Sequence, residues 1–233
     1  MPLAVRPKLK AELERMTEAG IIVPVTEPIP WVSQMVATPK KNGDIRICID
    51  PRELNKALIR ERFTLLILDD ALHELGQSRF FSKANLSAGF HHVELDYESS
   101  LLTTFQTYYG RYRWTRLPFG LYVSSEIFGR KLLEALDSLT GVICIADDVI
   151  VHGRDEREHD ARLAAFLQRC REHGIQLNRD KFVLMNTEIT FMGHRITSAG
   201  LQADPEKVKA ITEMKSPTNV EELRRFLGLV NYL

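Results

Sequence analysis

Two adjacent aspartates, Asp147 and Asp148, interrupt an otherwise apolar run over residues 142–151. Burying unpaired carboxylates in a sheet is costly, so exposure at a turn, a basic partner or a metal ion must offset the cost. A hairpin turn, where aspartate is common, is one interpretation. A magnesium site for phosphoryl transfer is the other, because Mg²⁺ prefers carboxylate oxygens and paired ions stabilise both the attacking and leaving oxygens. The segment alone leaves both interpretations open.

The surrounding sequence predicts the elements that position this pair. Prolines over residues 24–30 are expected to exclude regular structure there, and Asn42-Gly43 predicts a hairpin turn. Asp204-Pro205 and the Thr218/Glu221 spacing predict two helix starts. Apolar periodicity predicts helices over residues 7–19, 69–75, 124–136 and 156–173, strands over 31–38, 45–50 and 79–86, and a buried hairpin over 142–151. Together these elements favour an α+β fold.

Composition narrows the class of protein without selecting one. The chain has 233 residues, is 44% hydrophobic, and carries 31 basic and 31 acidic residues, so nucleic-acid binding must depend on local basic patches. Three widely spaced cysteines, Cys48, Cys144 and Cys170, predict free thiols in a reducing compartment. No signal peptide and no membrane-spanning apolar run is found, which predicts a soluble intracellular protein without membrane contact.

Six segments, in the same order along the chain, resemble the reverse transcriptase domain of gypsy-type retrotransposon Pol polyproteins. The Asp147–Asp148 pair resembles the tyrosine-x-aspartate-aspartate box, with Ile145 at the tyrosine position. The other five segments are residues 40–56 (fingers hairpin), 116–121 (Arg-Leu-Pro-Phe-Gly-Leu), 177–181 (Leu-Asn-Arg-Asp-Lys), 191–194 (Phe-Met-Gly-His, primer grip) and 222–232 (thumb entry). Each segment is weak alone, but the set in this order is specific to the family.

The resemblance implies a right-hand polymerase fold. Fingers would comprise residues 1–60 and 93–123, and a ferredoxin-like palm would comprise residues 61–92 and 124–198. Residues 199–233 would begin the thumb, with the last helix still running at Leu233, as in a truncated domain. RNase H or integrase regions of the polyprotein would lie outside this chain.

The resemblance also implies a reaction: template-directed addition of deoxynucleotides to a primer 3′-hydroxyl. The partners would be deoxynucleoside triphosphates and an RNA or DNA template with its primer. Asp147 and Asp148, with the backbone carbonyl of Leu86, would bind two Mg²⁺ ions, for which Mn²⁺ is a substitute. Lys181 would donate a proton to the departing pyrophosphate. A surface lysine after a turn is the alternative for Lys181.

Further roles follow from the same resemblance. Lys41 and Arg46 would bind the triphosphate, with a solvated hairpin as the alternative. Phe90 would exclude a ribose 2′-hydroxyl. The implied nucleotide-binding set is Lys41, Arg46, Leu86, Phe90, Phe119 and Gly120, and the implied primer grip is Met192, Gly193 and His194. Arg111, Arg113 and Arg116, interleaved with Tyr112 and Trp114, would contact template or form a solvated strand face.

Three positions depart from the family pattern. Asn85 stands where an aspartate bridging both metals is expected, and an amide brings no negative charge to offset two cations. Gly129 replaces a usual glutamine, and Leu66 a usual proline. We therefore expect the polymerase to be severely impaired. The alternatives are an inactive fold that binds nucleic acid or a protein partner, and a decayed reading frame that makes little stable protein.

Overall fold

The computed structural model describes residues 5–39, 43–60, 63 and 75–230. The chain divides into two compact units. Unit 1 comprises Met1–Leu65 and Ala88–Glu134, and unit 2 comprises Leu66–Ser87 and Ala135–Leu233. Each unit therefore contains two separate stretches of the chain.

Unit 1 is built around a five-stranded sheet with strand order β1-β6-β5-β2-β3. Its elements are α1 (Arg6–Glu18), β1 (Ile22–Val25), β2 (Ser33–Pro39), β3 (Ile45–Ile49), α2 (Arg52–Ala57), a 3₁₀ helix (Gly89–His92), α3 (Tyr97–Leu102), β5 (Phe105–Thr107), β6 (Gly110–Trp114) and the greater part of α4 (Ser124–Leu136). Leu9, Leu13 and Met16 of α1 pack against the sheet's apolar face, where Phe105 and Trp114 are fully buried.

Strand β3 shows how the alternating pattern becomes structure. Its three isoleucines, Ile45, Ile47 and Ile49, are buried, whereas Arg46 is exposed. Because successive side chains of a strand point to opposite faces, the apolar face joins the core and the guanidinium stays in solvent. The predicted strand and its orientation are therefore confirmed.

The prediction that prolines exclude regular structure after α1 is wrong at Pro24. That residue lies within β1 and pairs with Tyr112 of β6. Strand β1 is at the edge of the sheet, with β6 as its single neighbour. An edge strand tolerates proline because one side of its backbone needs no partner.

Unit 2 contains a four-stranded sheet with order β7-β8-β4-β9. Its strands are β4 (Phe80–Asn85), β7 (Val142–Ile145), β8 (Asp148–Gly153) and β9 (Val183–Asn186), and α5 (Glu156–Glu172) lies between β8 and β9 in the chain. All three strand pairs are antiparallel. Apart from the unit 1 elements that also lie between β4 and β7 in the chain, the order β4-α4-β7-β8-α5-β9 is the β-α-β-β-α-β order of the predicted ferredoxin-like palm.

The remaining elements of unit 2 are a 3₁₀ helix (Arg179–Lys181), a three-stranded antiparallel sheet and two helices. The sheet contains β10 (Glu188–Phe191), β11 (His194–Thr197) and β12 (Gly200–Ala203), and the helices are α6 (Pro205–Thr212) and α7 (Val220–Val230). The Asp204 side chain caps α6, as predicted. For α7 the predicted capping pair is wrong by one residue: Asn219 accepts from the Glu222 amide, and the Glu222 carboxylate accepts from Thr218.

Three other predictions concern the cysteines, membrane-spanning helices and two local elements. The cysteines are all free thiols, as expected. No helix in the described part of the chain is long and apolar enough to cross a membrane. The helix predicted over residues 69–75 and the turn at Asn42 lie almost entirely outside the described residues.

Candidate active site

The register of the β4–β8 pair places Asn85 directly opposite Asp148. The side-chain amide of Asn85 donates a hydrogen bond to Oδ1 of Asp148 over 2.8 Å. Asn85 is 8% exposed and Asp148 is half-buried. Two positions 63 residues apart in sequence are thus joined at the ends of their strands.

The β7–β8 hairpin displays Asp147 in its two-residue loop, while Asp148 is the first residue of β8. Ala146 begins the loop with φ +55°, a left-handed conformation that is unfavourable for a residue with a side chain. The Asp147 carbonyl accepts from the Leu86 amide over 2.8 Å, which anchors the loop to the end of β4. The two carboxylates are therefore held by a defined turn, and Asp147 is exposed.

Cys144 supports this loop, a role that sequence reasoning missed. Its Sγ lies 3.7 Å from the Ala146 carbonyl oxygen, within the distance of a weak thiol hydrogen bond. Burial raises the pKa of the Cys144 thiol to about 12, and the charges of Asp147 and Asp148 act in the same direction. The thiol therefore stays protonated and available as a donor.

Lys181 lies beside this pair, on the 3₁₀ helix Arg179–Lys181. Its Nζ donates to Oδ1 of Asn85 over 3.3 Å. The Asn178 amide donates to the Asn85 carbonyl over 2.8 Å, and this contact positions the 3₁₀ helix next to the end of β4. Asn85 therefore links an ammonium group on one side to a carboxylate on the other.

These contacts fix which way the Asn85 amide points. The ammonium of Lys181 can only donate, so the amide oxygen faces Lys181 and the amide nitrogen faces Asp148. A divalent cation at this position would need oxygen ligands, whereas the Asn85 amide directs its N–H groups towards the Asp148 carboxylate. Within the described residues no group of three or more His, Cys, Asp or Glu side chains is arranged to hold a metal. The side chains at this position are therefore two carboxylates and one amide, one carboxylate fewer than the resemblance implies.

An open pocket of about 590 Å³ adjoins these residues within unit 2. Asn85, Asp148 and Lys181 line one part of it. Lys83 lines it too, two residues before Asn85 on the same face of β4, and its Nζ donates to the Thr190 carbonyl over 3.1 Å. Sequence reasoning missed Lys83 as a site residue, although the period-two alternation of a strand places it beside Asn85.

The predicted primer-grip residues lie on the β10–β11 hairpin, whose β10 strand also borders that pocket. Met192 and Gly193 form its two-residue loop with φ +47° and +77°, and His194 begins β11. Positive φ at both loop residues suits the right-handed twist of a tight hairpin. Met192 also packs against the apolar core of unit 2.

In unit 1, three of the predicted nucleotide-binding residues lie together. The Phe90 and Phe119 ring centroids are 4.8 Å apart, and the Arg46 guanidinium lies 4.9 Å from the Phe119 ring centroid. Gly120 follows with φ +112°, and a Cβ there would lie 3.0 Å from the Ile49 carbonyl oxygen, so a glycine is needed. Lys41, also predicted here, lies outside the described residues.

His91, which the sequence analysis did not select as a site residue, packs against this aromatic group. The His91 ring lies 5.4 Å from Phe119 and 5.6 Å from Trp114, centroid to centroid. Burial is the main cause that lowers the pKa of His91 to about 4, with Arg15 adding to it. His91 is thus a neutral packing residue at neutral pH.

The three arginines proposed for template contact are held within unit 1. Arg111 donates to the Thr26 carbonyl over 3.1 Å, Arg113 donates to Ser100, and Arg116 pairs with Glu94 at 2.9 Å. Trp114, interleaved with them, is 0% exposed and cannot stack on a base. Two further positions depart from the family pattern: Gly129 lies inside α4, and Leu66 lies outside the described residues.

The class of protein is defined by comparison with known proteins. The sequence profile described as reverse transcriptase (RNA-dependent DNA polymerase) matches residues 38–196. The chain is 32% identical over 238 residues to the Retrovirus-related Pol polyprotein from transposon opus of Drosophila melanogaster, covering 99% of this chain. It is also 32% identical over 227 residues to that from transposon gypsy of the same organism, covering 95% of this chain. The chain therefore belongs to the reverse transcriptase family.

Solved structures agree on the fold. A foamy viral protease-reverse transcriptase in complex with double-stranded DNA superposes with a TM-score of 0.89 and 25% identity, covering 99% of this chain and 40% of that one. The predicted α+β, right-hand polymerase fold is thereby confirmed. The chain spans about a quarter of the length of the curated relatives, 24% for opus and 22% for gypsy.

Proposed function

We propose that this chain is an RNA-directed DNA polymerase domain in which Asn85 strongly impairs the two-metal reaction. The single observation that carries the proposal is the hydrogen-bonded series Asp148–Asn85–Lys181. A neutral amide there provides neither the charge nor the free oxygen expected of a third carboxylate. The partners would be deoxynucleoside triphosphates and a primed RNA or DNA template, as the family membership implies.

Asp147 and Asp148, with the Leu86 carbonyl, would hold what metal the site retains. A divalent ion in a polymerase neutralises phosphate charge and activates the attacking oxygen. Asn85 removes one unit of negative charge from that environment and directs N–H donors at Asp148. The loss of one carboxylate is expected to cost several kcal/mol of transition-state stabilisation, on the order of a hundredfold or more in rate.

Lys181 would act as the proton donor to the leaving pyrophosphate. Its Nζ donates to the Asn85 side chain, which in turn donates to Asp148. An aspartate at residue 85 would convert this hydrogen bond into an ion pair, which is stronger because both partners are charged. The substitution at residue 85 therefore alters both the metal environment and the setting of Lys181.

The arrangement in unit 1 supports deoxynucleotide binding. Arg46 is exposed and Phe90 and Phe119 are half-buried, and the Arg46 guanidinium lies over the Phe119 ring. A guanidinium in that position suits a triphosphate, and the Phe90 ring would lie against the sugar and select deoxyribose. The second candidate function, binding without polymerisation, is favoured by Asn85 alone.

Primer extension on an RNA template with Mg²⁺ tests the proposal, with this protein compared to its Asn85→Asp variant. We expect the variant to extend the primer at least about a hundredfold faster. Asn186→Asp is a matched control, because Asn186 is an exposed residue of the same pocket and adds the same charge. Equal extension by the unmodified chain and Asn85→Asp would overturn the impairment. No extension by either folded protein would favour the binding function.

A further inference from the structure

Unit 2 has a second open pocket, of about 560 Å³, that shares no residue with the candidate active site. The turn following α4, the end of β8 and the start of α5 contribute its walls. Its polar lining includes Ser78, Ser138, Thr140, His152, Arg154 and Arg162. The volume lies within the range of pockets that hold small-molecule ligands.

Arg162 is fixed in the wall of this pocket. Its Nη1 donates to the His152 carbonyl and its Nη2 to Glu158, each over 2.8 Å. The side chain lies against Gly141, where an added Cβ would approach its Cδ to 2.4 Å, and Gly141 has φ +72°. Only glycine therefore allows the guanidinium this position, so the pocket contains a preformed cation.

His152 has one ring nitrogen, Nε2, that lacks a hydrogen-bond partner in the described part of the chain. Its side chain is nearly fully buried, with the residue 4% exposed, and Nδ1 lies 2.7 Å from the Ser78 hydroxyl. Nε2 is itself buried and forms no hydrogen bond with any residue in the described part of the chain. If Nδ1 accepts from Ser78, Nε2 carries the proton and is a free donor. Buried polar groups are normally hydrogen-bonded, so this atom points to a missing acceptor.

The charges that line the pocket favour an anion. Arg154 and Arg162 line it, whereas none of its lining residues is acidic. Glu158 pairs with Arg162 and lies 4.0 Å from Arg154, so one positive charge of this group of three is not compensated. Arg154 is 66% exposed at its side chain and can turn towards a ligand. Hydroxyls at Ser138 and Thr140 add further donors.

We propose that this pocket binds the phosphate group of a small phosphorylated compound. Two guanidinium groups, hydroxyl donors and an imidazole N–H together match the several acceptor oxygens of a phosphate monoester. A monoester presents three terminal oxygens as acceptors, whereas a nucleic-acid phosphodiester presents two. The several donors that line the pocket therefore favour the monoester. The proposal is independent of polymerase activity.

Isothermal titration of the full chain with inorganic phosphate tests the proposal. We expect saturable binding of one phosphate per chain, accompanied by a shift of the His152 imidazole resonances in the NMR spectrum. Arg154→Gln is expected to weaken binding about tenfold. Arg157→Gln, an exposed arginine of α5 outside the pocket, is the matched control and is expected to bind as the unmodified chain does.

The outcomes separate the sources of the phosphate. Binding of inorganic phosphate without binding of dimethyl phosphate supports the monoester, whereas tight binding of dimethyl phosphate would overturn it in favour of a nucleic-acid backbone. Equal weakening by both arginine variants would show general charge attraction and overturn the site. Absence of saturable binding, or binding that leaves the His152 resonances unchanged, would also overturn it.

Discussion

The amide nitrogen of Asn85 lies 2.8 Å from Oδ1 of Asp148, its partner across the β4–β8 pair. Lys181 approaches the oxygen of the same amide. A carboxylate at residue 85 would face Asp148 directly, and like charges at paired positions repel unless a cation lies between them. The Asn85 side chain thus satisfies both Asp148 and Lys181 by hydrogen bonds, so this pair of residues needs no bound cation. That is the physical basis of the expected loss of activity.

Lys181 is predicted to contribute to nucleotide addition in a variant that catalyses it. In the Asn85→Asp background, Lys181→Met is expected to lower kcat for nucleotide addition roughly a hundredfold, the usual effect of losing a general acid. Single-turnover primer extension at a fixed pH measures it. Lys215→Met, at an exposed lysine in unit 2, is the control. An unchanged kcat would leave Lys181 as a surface residue.

Acid is predicted to destabilise the fold through its buried histidines. Burial is the main cause that lowers the pKa of His152 to about 4, as it does for His91. The unfolded chain binds these protons near pH 6.5, so stability is complete above that pH and falls as the pH drops towards 4. For His152 alone the loss is about 2 kcal/mol at pH 5.

Urea unfolding at pH 7.5 and pH 5 measures this loss. His152→Gln is expected to reduce the difference between the two pH values, whereas His173→Gln, at an exposed histidine, is expected to leave it unchanged. An identical pH dependence in all three proteins would show that His152 does not titrate in this way.

Close packing of α5 on β8 is predicted to depend on Gly153. A Cβ at that residue would lie 2.6 Å from the backbone nitrogen of His159, which belongs to α5 and cannot move alone. Gly153→Ala is therefore expected to cost roughly 1–3 kcal/mol, as overpacking does. Thermal unfolding measures it, with Gly228→Ala as control, since a Cβ at Gly228 meets nothing within 4 Å. Equal melting temperatures for both variants would contradict the prediction.

The parts predictable from sequence are those set by local pattern. The hairpin that carries Asp147 and Asp148 follows from an apolar run broken by two polar residues, and the outward side of Arg46 follows from strand alternation. Pro24 was misjudged because its place at a sheet edge depends on which strand pairs with β1. The cap at Asn219 differs from the prediction by one residue, as helix boundaries commonly do.

The contacts of Asn85 could not be predicted from local pattern. Residue 85 was identified by resemblance, but its pairing with Asp148 depends on the β4–β8 register, and its amide direction depends on Lys181, 96 residues away. The buried polar pair Ser78–His152 likewise joins residues 74 apart. Such contacts are determined by tertiary structure, and no periodicity in the sequence reports them.

The most direct test of the central claim is a Mn²⁺ titration of the unmodified chain and Asn85→Asp, followed by electron paramagnetic resonance of the free ion. Asn186→Asp again controls for added charge. If Asn85 deprives the site of a metal ligand, the Asn85→Asp variant will bind Mn²⁺ at least about tenfold more tightly and take up an additional ion. Two ions bound to the unmodified chain with the affinity of the variant would contradict the account.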